Sequence, residues 1–191
     1  MRRVSVEEHK TYAPAPAAIR VNVVTVSDSR TVATDEGGRL ASELCRDAGF
    51  VVAGGAILPD DRDRIADHVA GLARDGGVDA VLVTGGTGIS ARDNTVEAVQ
   101  PLFDKTLPGF GELFRSLSFA EIGPAAMLSR ATAGTIGAVL VFTLPGSPAG
   151  VRLALERLII PELPHMVSQL HRHEHHHHAP HHHEHHPKHR R

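Results

Sequence analysis

The sequence predicts an α/β fold, a three-layer α/β/α sandwich whose central sheet is mostly parallel. Two observations support this prediction. In the first half of the chain, apolar and β-branched runs of strand length alternate with segments whose apolar residues recur at helical spacing. The connections between them are short, so each strand is expected to be followed by a helix that crosses over to the next parallel strand.

Three strands are predicted in the first half of the chain. They cover residues 19–27, 50–58 and 79–84, and all three are rich in aliphatic residues. The pair Gly54 and Gly55 predicts an interruption in the second strand. The third strand is apolar along almost its whole length, as expected when helices cover both faces of a sheet.

Two helices are predicted between these strands. In each, apolar residues recur three or four positions apart and glycine follows the last of them, which favours a helix that ends there. The first contains Leu40, Leu44 and Ala48 and ends near Gly49; the second contains Ile65, Val69 and Leu72 and ends at Gly76 and Gly77.

The second half of the chain has a less regular pattern. Two further strands are predicted at residues 128–136 and 138–144, around a turn at Gly137. Ser147 has the position of a helix N-cap, and Pro148 has that of the first helical residue. The buried stripe of that helix would consist of Val151, Leu155, Leu158 and Ile159.

Composition divides the 191 residues into three parts. We expect residues 1–18 to be a flexible arm, residues 19–170 to form one domain, and residues 171–191 to be a disordered tail that holds 12 of the 15 histidines. The net charge of the chain is −2. Because the tail has a net charge of +2, the rest of the chain carries about −4. This balance argues against binding of nucleic acid through a broad basic face.

The same composition disfavours several other classes of protein. A single cysteine, Cys45, excludes a disulfide framework and a cysteine-based zinc site. No apolar run reaches the roughly 18 residues of a membrane span, and residues 1–20 lack the apolar stretch of a signal peptide. We therefore expect a cytoplasmic protein without a membrane segment.

The tail is dense in imidazole groups, which bind Ni²⁺, Zn²⁺ or Cu²⁺ when neutral. Two interpretations stay open: a tail that buffers metal, or a solvated tail that binds metal incidentally. The candidate ligands form two blocks, His175, His176, His177 and His178, and His181, His182 and His183.

A glycine-rich loop directly follows the third predicted strand, with the sequence Thr84, Gly85, Gly86, Thr87, Gly88. Glycines let backbone N–H groups approach an anion without obstruction by Cβ atoms. Asn94 and Glu97 have the spacing of a capping box, which predicts a helix N-terminus near the same place. The loop therefore predicts a phosphate or carboxylate site, and the alternative is a plain glycine-rich turn.

Two acidic residues are expected at the same edge of the sheet. Asp60 follows the second predicted strand, and Asp93 follows the glycine-rich loop. A carboxylate beside a phosphate site is unfavourable unless a cation lies between them, so the pair predicts a Mg²⁺ ion that bridges to phosphate oxygens. The alternative is that Asp60 or Asp61 caps the following helix. A third segment, residues 144–148, forms another strand-to-helix turn at this edge.

These segments resemble the MoaB/MogA family of molybdenum cofactor biosynthesis proteins. The most specific similarity is residues 84–88 followed by Arg92, Asp93 and Glu97, and further matches lie at 25–30, 108–112 and 128–130. The resemblance covers about residues 19–165, and residues 101–105 and 114–123 are more similar to the MoaB branch.

The resemblance implies a molybdopterin-binding fold and Mg²⁺-dependent adenylylation of molybdopterin by ATP, which gives adenylyl-molybdopterin and pyrophosphate. It implies that Asp60 and Asp93 are catalytic and hold Mg²⁺. The substrate-binding residues that it implies are Ser27, Asp28, Thr84, Gly85, Gly86, Thr87, Gly88, Arg92, Gly146, Ser147 and Pro148. Arg92 is expected either to contact pyrophosphate or to form a surface ion pair.

The resemblance also bears on activity and assembly. The pair Arg92 and Asp93, which inactive members lack, is intact here, whereas Val96 stands where proline is common and Ser147 where Asn or Gln occurs. A homo-oligomer, trimer or hexamer, is implied, together with contacts to other enzymes of molybdenum cofactor biosynthesis. The alternatives are a molybdopterin-binding protein without catalysis and a metal-buffering protein on the same fold.

Overall fold

Six strands form a single mixed sheet in the computed structural model, which describes residues 13–171. The order across the sheet is β2-β1-β3-β6-β5-β4. Neighbours among β2, β1, β3 and β6 are parallel, whereas β5 runs antiparallel to both β6 and β4. The strands are β1 (Arg20–Val26), β2 (Val51–Leu58), β3 (Ala80–Thr84), β4 (Lys105–Thr106), β5 (Thr132–Ile136) and β6 (Val139–Leu144).

Helices cover both faces of this sheet. They are α1 (Glu36–Asp47), α2 (Arg62–Asp75), α3 (Thr95–Val99), α4 (Pro108–Ile122), α5 (Pro148–Ala154) and α6 (Ile160–His171). One buried cluster joins the sheet to α1, α4, α5 and α6, and a second joins its other face to α2 and α3. The predicted three-layer α/β/α sandwich with a mostly parallel sheet is therefore confirmed.

Several local predictions in the first half are confirmed. Gly49 and Gly76 follow the ends of α1 and α2 with φ angles of +86° and +67°, the left-handed conformation that glycine adopts without strain. The predicted interruption at Gly54 and Gly55 is wrong, because β2 is continuous. Val21 pairs with Val52 and Asn22 with Gly54, so the irregularity is a one-residue bulge at Ala53.

The second half departs further from the sequence pattern. The strand predicted at 128–136 begins only at Thr132, because residues Gly123–Leu128 form a 3-10 helix. Helix α4 was not predicted; it has glycines at 109 and 111 and serines at 116 and 118, which weaken its apolar periodicity. Gly111 lies where a Cβ atom would come within 2.6 Å of the carbonyl oxygen of Ala131, so close packing explains a glycine inside this helix.

The last helical region begins as predicted. The Ser147 hydroxyl accepts a hydrogen bond from the Gly150 amide at 3.2 Å, and Pro148 is the first residue of α5. The chain then passes through a π-helical turn, Leu155–Ile159, into α6. Within residues 13–171, no helix is long and apolar enough to cross a membrane.

The two ends of the chain extend past the part that the structure describes. Of the predicted arm, residues 13–18 are described, and Pro16–Ala18 form a 3-10 turn that leads into β1. The tail residues singled out as metal ligands, His175–His178 and His181–His183, lie outside the described residues.

Candidate active site at the carboxyl edge of the sheet

The carboxyl ends of four parallel strands meet at one edge of the sheet, where ligands bind in open α/β folds. The segments that leave β1, β2, β3 and β6 there contain every substrate-binding and catalytic residue that the sequence predicted within the described region.

The glycine-rich loop after β3 has a fixed backbone conformation. Gly85 and Gly86 have φ angles of +96° and +61°, which residues other than glycine rarely adopt. A Cβ atom on Gly85 would collide with the carbonyl oxygen of Val26, and one on Gly86 would collide with the hydroxyl of Thr95. The loop therefore requires glycine at both positions.

Hydrogen bonds attach this loop to its neighbours. The amide of Gly85 donates to the carbonyl oxygen of Leu144 at 3.0 Å. Thr95, which is fully buried at the start of α3, donates from its hydroxyl to the Gly85 carbonyl at 2.8 Å and from its amide to the Gly86 carbonyl at 3.0 Å. The loop is thus held between β6 and α3.

Asp60 lies against the loop with one oxygen unpaired. A Cβ atom on Gly86 would come within 2.6 Å of Asp60 Oδ1, so the carboxyl packs on the glycine. That oxygen is buried and has no hydrogen-bond partner among the described residues. Burial raises the pKa of Asp60, and the nearby carboxylates of Asp28 and Asp93 raise it further. The backbone N–H of Asn94 and the charge of Arg92 lower this pKa and so oppose the rise. A cation at this oxygen would relieve both effects that raise the pKa.

Asp61, the next residue, has a different role. Its carboxylate accepts a hydrogen bond from the Arg64 amide at 2.9 Å and caps helix α2. Of the two aspartates that were alternatives for this cap, Asp61 therefore fills it, and the side chain of Asp60 faces the loop instead.

Asp93 reaches the same loop from its other end. A Cβ atom on Gly88 would come within 2.7 Å of Asp93 Oδ2, and the same oxygen accepts a hydrogen bond from the Ser90 amide at 2.7 Å. Gly88 is two positions beyond Gly86, which Asp60 contacts. The two carboxyl groups thus lie against one short stretch of backbone, although 33 positions separate them in the sequence.

The helix start predicted at this place is confirmed, because α3 begins at Thr95, but the capping box of Asn94 and Glu97 is wrong. The Asn94 side chain makes no capping hydrogen bond; its amide nitrogen donates to the carbonyl oxygens of Asp60 at 3.2 Å and Arg92 at 3.1 Å. Glu97 forms an ion pair with Arg130, whose hydrogen bond lowers the pKa of the Glu97 carboxyl. Asn94 therefore joins the segment that carries Asp60 to the segment that carries Asp93.

The segment after β1 borders the site. The Ser27 hydroxyl accepts hydrogen bonds from the amides of Ser29 and Arg30 at 3.3 and 3.2 Å, which shapes the turn. Asp28 Oδ1 accepts from the Asp60 amide at 3.1 Å, and its other oxygen lies 3.4 Å from Arg92. The Arg92 side chain is 80% exposed, so the surface ion pair, one of its two expected roles, is present in this structure.

Two clefts border the contact between the glycine-rich loop and the β6–α5 turn. In that contact, a Cβ atom on Gly146 would lie 3.2 Å from the Cα atom of Gly85. The smaller cleft, about 410 Å³, also borders Ser27, Thr84 and Pro148. The larger cleft, about 530 Å³, is lined by the glycine-rich loop, Asp93, and residues of α4 that include Phe114, Ser118, Glu121 and Ile122. Both clefts border Gly85, Gly146 and Ser147.

Comparison with known proteins shows the family. Residues 22–165 match the family model described as "Probable molybdopterin binding domain". The chain belongs to the MoaB/MogA family of molybdenum cofactor biosynthesis proteins. Molybdenum cofactor biosynthesis protein B of Bacillus cereus is 50% identical to it over 170 residues, which cover 88% of this chain and 99% of that protein. The corresponding protein of Bacillus subtilis is 49% identical over 168 residues, 87% of this chain and 98% of that protein.

Solved structures of MoaB and MogA proteins have the same fold. A crystal structure of a molybdenum cofactor biosynthesis protein B is 50% identical, with a TM-score of 0.80 over 83% of this chain and 99% of that one. The tungsten cofactor synthesizing protein MoaB from Pyrococcus furiosus is 40% identical, with a TM-score of 0.72 over 82% of this chain and 99% of that one. The expected resemblance to the MoaB/MogA family is thereby confirmed.

Two residues that position the MoaB/MogA loop were missed by the sequence interpretation. Thr95 was not singled out, because nothing in the sequence pattern indicates that its hydroxyl binds the Gly85 carbonyl. Arg130 falls in a motif that supported the family resemblance, but it was assigned to a strand. Its guanidinium instead contacts Gly88, Asp93 and Glu97.

Proposed function

We propose that this chain catalyses the Mg²⁺-dependent adenylylation of molybdopterin by ATP within molybdenum cofactor biosynthesis. One observation carries the proposal. The carboxyl groups of Asp60 and Asp93 lie against the same glycine-rich loop, and one oxygen of Asp60 is buried there without a hydrogen-bond partner in residues 13–171. Such a pair beside backbone amides fits the binding of a nucleotide together with a divalent cation.

Two carboxylates suit a magnesium ion that is shared with substrate phosphates, rather than a metal ion held by protein ligands alone. Within residues 13–171 there is no group of three or more His, Cys, Asp or Glu side chains that could hold a metal by themselves. Magnesium in nucleotide-dependent enzymes is commonly held by one or two carboxylates, and substrate phosphates and water complete its coordination. Asp60 and Asp93 would hold the ion, which would neutralise charge on the phosphates when bound.

The reaction is a transfer of an adenylyl group. An oxygen of the terminal phosphate of molybdopterin forms a bond to the α-phosphorus of ATP, and the bond from that phosphorus to the oxygen bridging to the β-phosphate breaks. The leaving group is pyrophosphate, and the product is adenylyl-molybdopterin. A phosphate oxygen is already a competent nucleophile, so the protein must mainly hold two polyanions in line and stabilise charge.

The residues around the loop have the properties that this task requires. The amides of residues 86–88 would bind phosphate oxygens, whereas the amide of Gly85, which was expected to do so as well, donates to the carbonyl oxygen of Leu144 instead. Gly86 and Gly88 have no Cβ atom that would obstruct the approach of an anion. Arg92 is exposed beside Asp28 and would supply a positive charge to pyrophosphate on exchanging that partner. The two clefts that share Gly85, Gly146 and Ser147 offer adjoining space for two substrates.

Two further expectations accompany the activity. We expect the protein to work in the cytoplasm, where ATP is available, and to contact other enzymes of the same biosynthetic route. We also expect a homo-oligomer, because large apolar side chains are exposed on α4 and the 3-10 turn after it, namely Leu113, Phe119, Ile122, Met127 and Leu128.

The test is release of pyrophosphate by the full chain in the presence of ATP, molybdopterin and Mg²⁺. The wild type should release pyrophosphate only when all three are present. Asp93→Ala should retain molybdopterin binding and lose about 10²–10³ in kcat, the usual effect of removing one preorganised charge-stabilising group. Asp67→Ala, an exposed aspartate of α2 away from the loop, is the matched control and should keep the wild-type rate.

Two results would contradict the proposal. Tight molybdopterin binding without ATP-dependent pyrophosphate release would indicate a binding protein without catalysis. Near-normal turnover in Asp93→Ala would remove this carboxylate from the mechanism.

A further inference from the structure

The guanidinium of Arg130 connects three segments around the glycine-rich loop. Its Nε donates to the carbonyl oxygen of Gly88 at 2.7 Å, and its Nη2 donates to the carbonyl oxygen of Asp93 at 2.9 Å. Its Nη1 forms an ion pair with the carboxylate of Glu97 in α3.

The two carbonyl groups that Arg130 binds belong to Gly88 and Asp93, which also contact each other in the proposed active site. The carboxyl of Asp93 packs directly on Gly88, within 2.7 Å of where a Cβ atom would stand. By binding both carbonyls with one rigid group, Arg130 fixes the separation of the loop and the segment that carries the Asp93 carboxyl. Arginine suits this task because its donors have a fixed planar arrangement, whereas the single ammonium of lysine does not reproduce it.

The loop needs such an attachment. It contains three glycines in five residues, and glycine loses more conformational freedom on ordering than any other residue. Thr95 and Leu144 hold its first half, at Gly85 and Gly86, through three hydrogen bonds. Arg130 holds the second half, at Gly88, and its side chain is only 29% exposed, so water competes weakly for its donors.

We propose that Arg130 is a positioning residue for adenylylation. It keeps Gly88 and Asp93 at the separation at which the loop amides and the Asp93 carboxylate, which would hold Mg²⁺, serve the same phosphate group. This inference rests on the proposed function. Arg130 touches neither the carboxyl of Asp60 nor that of Asp93; it acts through the backbone of Gly88 and Asp93.

The experiment compares Arg130→Lys and Arg130→Gln with a matched control, Arg20→Gln. Arg20 also holds a carbonyl group, that of Gly77 at 2.7 Å, but Arg20 lies at the start of β1, at the opposite end of the strand from the glycine-rich loop. In both Arg130 variants, amide hydrogen exchange in residues 85–94 should accelerate at least tenfold. In Arg20→Gln it should stay at the wild-type rate.

Steady-state kinetics provide the second readout. Both Arg130 variants should lose about 10–10² in kcat, since small misplacements of reacting groups cost this much. The Mg²⁺ concentration for half-maximal rate should rise at least threefold, whereas the KM for molybdopterin should change less than threefold. Lysine should not rescue the glutamine variant, because it cannot bind two carbonyls in the same geometry.

Several results would overturn the proposal. These are wild-type exchange in residues 85–94 of either Arg130 variant, recovery of the rate by Arg130→Lys, or the same changes in Arg20→Gln. Should the Arg130 variants not fold, Glu97→Ala decides: it removes only the acceptor of Nη1 and should raise exchange two- to fivefold, and unchanged exchange would refute the proposal. Absence of pyrophosphate release in the wild type would refute the proposed function instead, while the exchange rates would still test Arg130.

Discussion

At the scale of single residues, the neighbours Asp60 and Asp61 show how one position along the chain changes the role of a carboxylate. Asp61 accepts a hydrogen bond from the amide of Arg64 and stabilises the start of α2. Asp60 has one buried oxygen that finds no hydrogen-bond partner in the part of the chain that the structure describes, and burial raises the pKa of Asp60. Asp61 therefore serves the fold, whereas Asp60 is available to a ligand.

The raised pKa of Asp60 predicts a stability that depends on pH. A carboxyl whose pKa is higher in the folded state than in the unfolded state destabilises the fold when it ionises. This destabilisation is absent below the ordinary pKa of about 3.9 and complete above the raised pKa. Asp60→Asn should therefore have a higher Tm than the wild type at pH 7. The gain should disappear as pH falls toward about 4. Thermal unfolding across this range measures it.

Magnesium and a neighbouring variant provide the controls for that prediction. Mg²⁺ should raise the Tm of the wild type and not that of Asp60→Asn, because a ligand stabilises only the state that binds it. Asp61→Ala should lose about 1 kcal/mol of stability through the missing cap and keep its response to Mg²⁺. A Tm of Asp60→Asn below that of the wild type at pH 7 would show that the carboxylate has a structural partner.

At the scale of elements, the glycine-rich loop depends on a backbone that other residues cannot adopt. Gly86→Ala would have to adopt a φ angle of +61° and place its Cβ atom against Thr95 and Asp60. It should lose about 1–3 kcal/mol in the free energy of unfolding and at least about 10² in rate. Gly109→Ala in α4, where a Cβ atom meets nothing within 4 Å, should be within about 1 kcal/mol of the wild type.

Urea unfolding and the pyrophosphate assay measure both glycine variants. Wild-type stability of Gly86→Ala would mean that the loop tolerates a different conformation. Wild-type activity of the same variant would mean that the contact between Gly86 and Asp60 does not matter for the reaction.

The sequence predicted the elements whose signals are local and missed those set by distant contacts. The first three strands and two helices follow from aliphatic runs and helix-ending glycines, and Ser147 follows from N-cap chemistry. Helix α4 was missed because it contains Gly111, which packs against the Ala131 carbonyl. That contact joins residues 20 positions apart, and no local pattern indicates it.

The candidate site shows the same division. The positions of Asp60, Asp93 and the loop at one edge follow from the direction of parallel strands, which the alternation of elements predicts. The helix start after Asn94 was predicted correctly, but the Asn94 side chain does not cap the helix. It donates instead to the carbonyl oxygen of Asp60, 34 positions away. Arg130 was missed because its contacts, with Gly88, Asp93 and Glu97, span 33 to 42 positions.

At the scale of the whole molecule, exposed apolar side chains predict self-association. Light scattering coupled to gel filtration should give three or six times the chain mass of 20.4 kDa. Replacement of Phe119 and Met127 by Glu, on the exposed face of α4 and the turn after it, should reduce that mass. Val32→Glu, at a position that is 89% exposed, is the control and should leave it unchanged. A wild-type mass of one chain at micromolar concentration would contradict the prediction.

The histidine-rich tail predicts a second property of the whole chain. Isothermal titration of Ni²⁺ or Zn²⁺ into the full chain should show binding that weakens below about pH 6.5, as the imidazoles become protonated. A truncation that ends at Leu170 should lose this binding and should release pyrophosphate at the same rate as the full chain. Equal heats from the two forms would mean that the tail provides no metal site.

The central claim is that Asp60 and Asp93 hold one divalent cation over the glycine-rich loop. A crystal structure with a non-hydrolysable ATP analogue and Mn²⁺ tests it most directly, because the anomalous signal locates the metal. We predict one strong peak within about 2.0–2.3 Å of an oxygen from each aspartate and of a phosphate oxygen. A metal bound elsewhere, or a nucleotide phosphate bound away from residues 85–88, would contradict the claim.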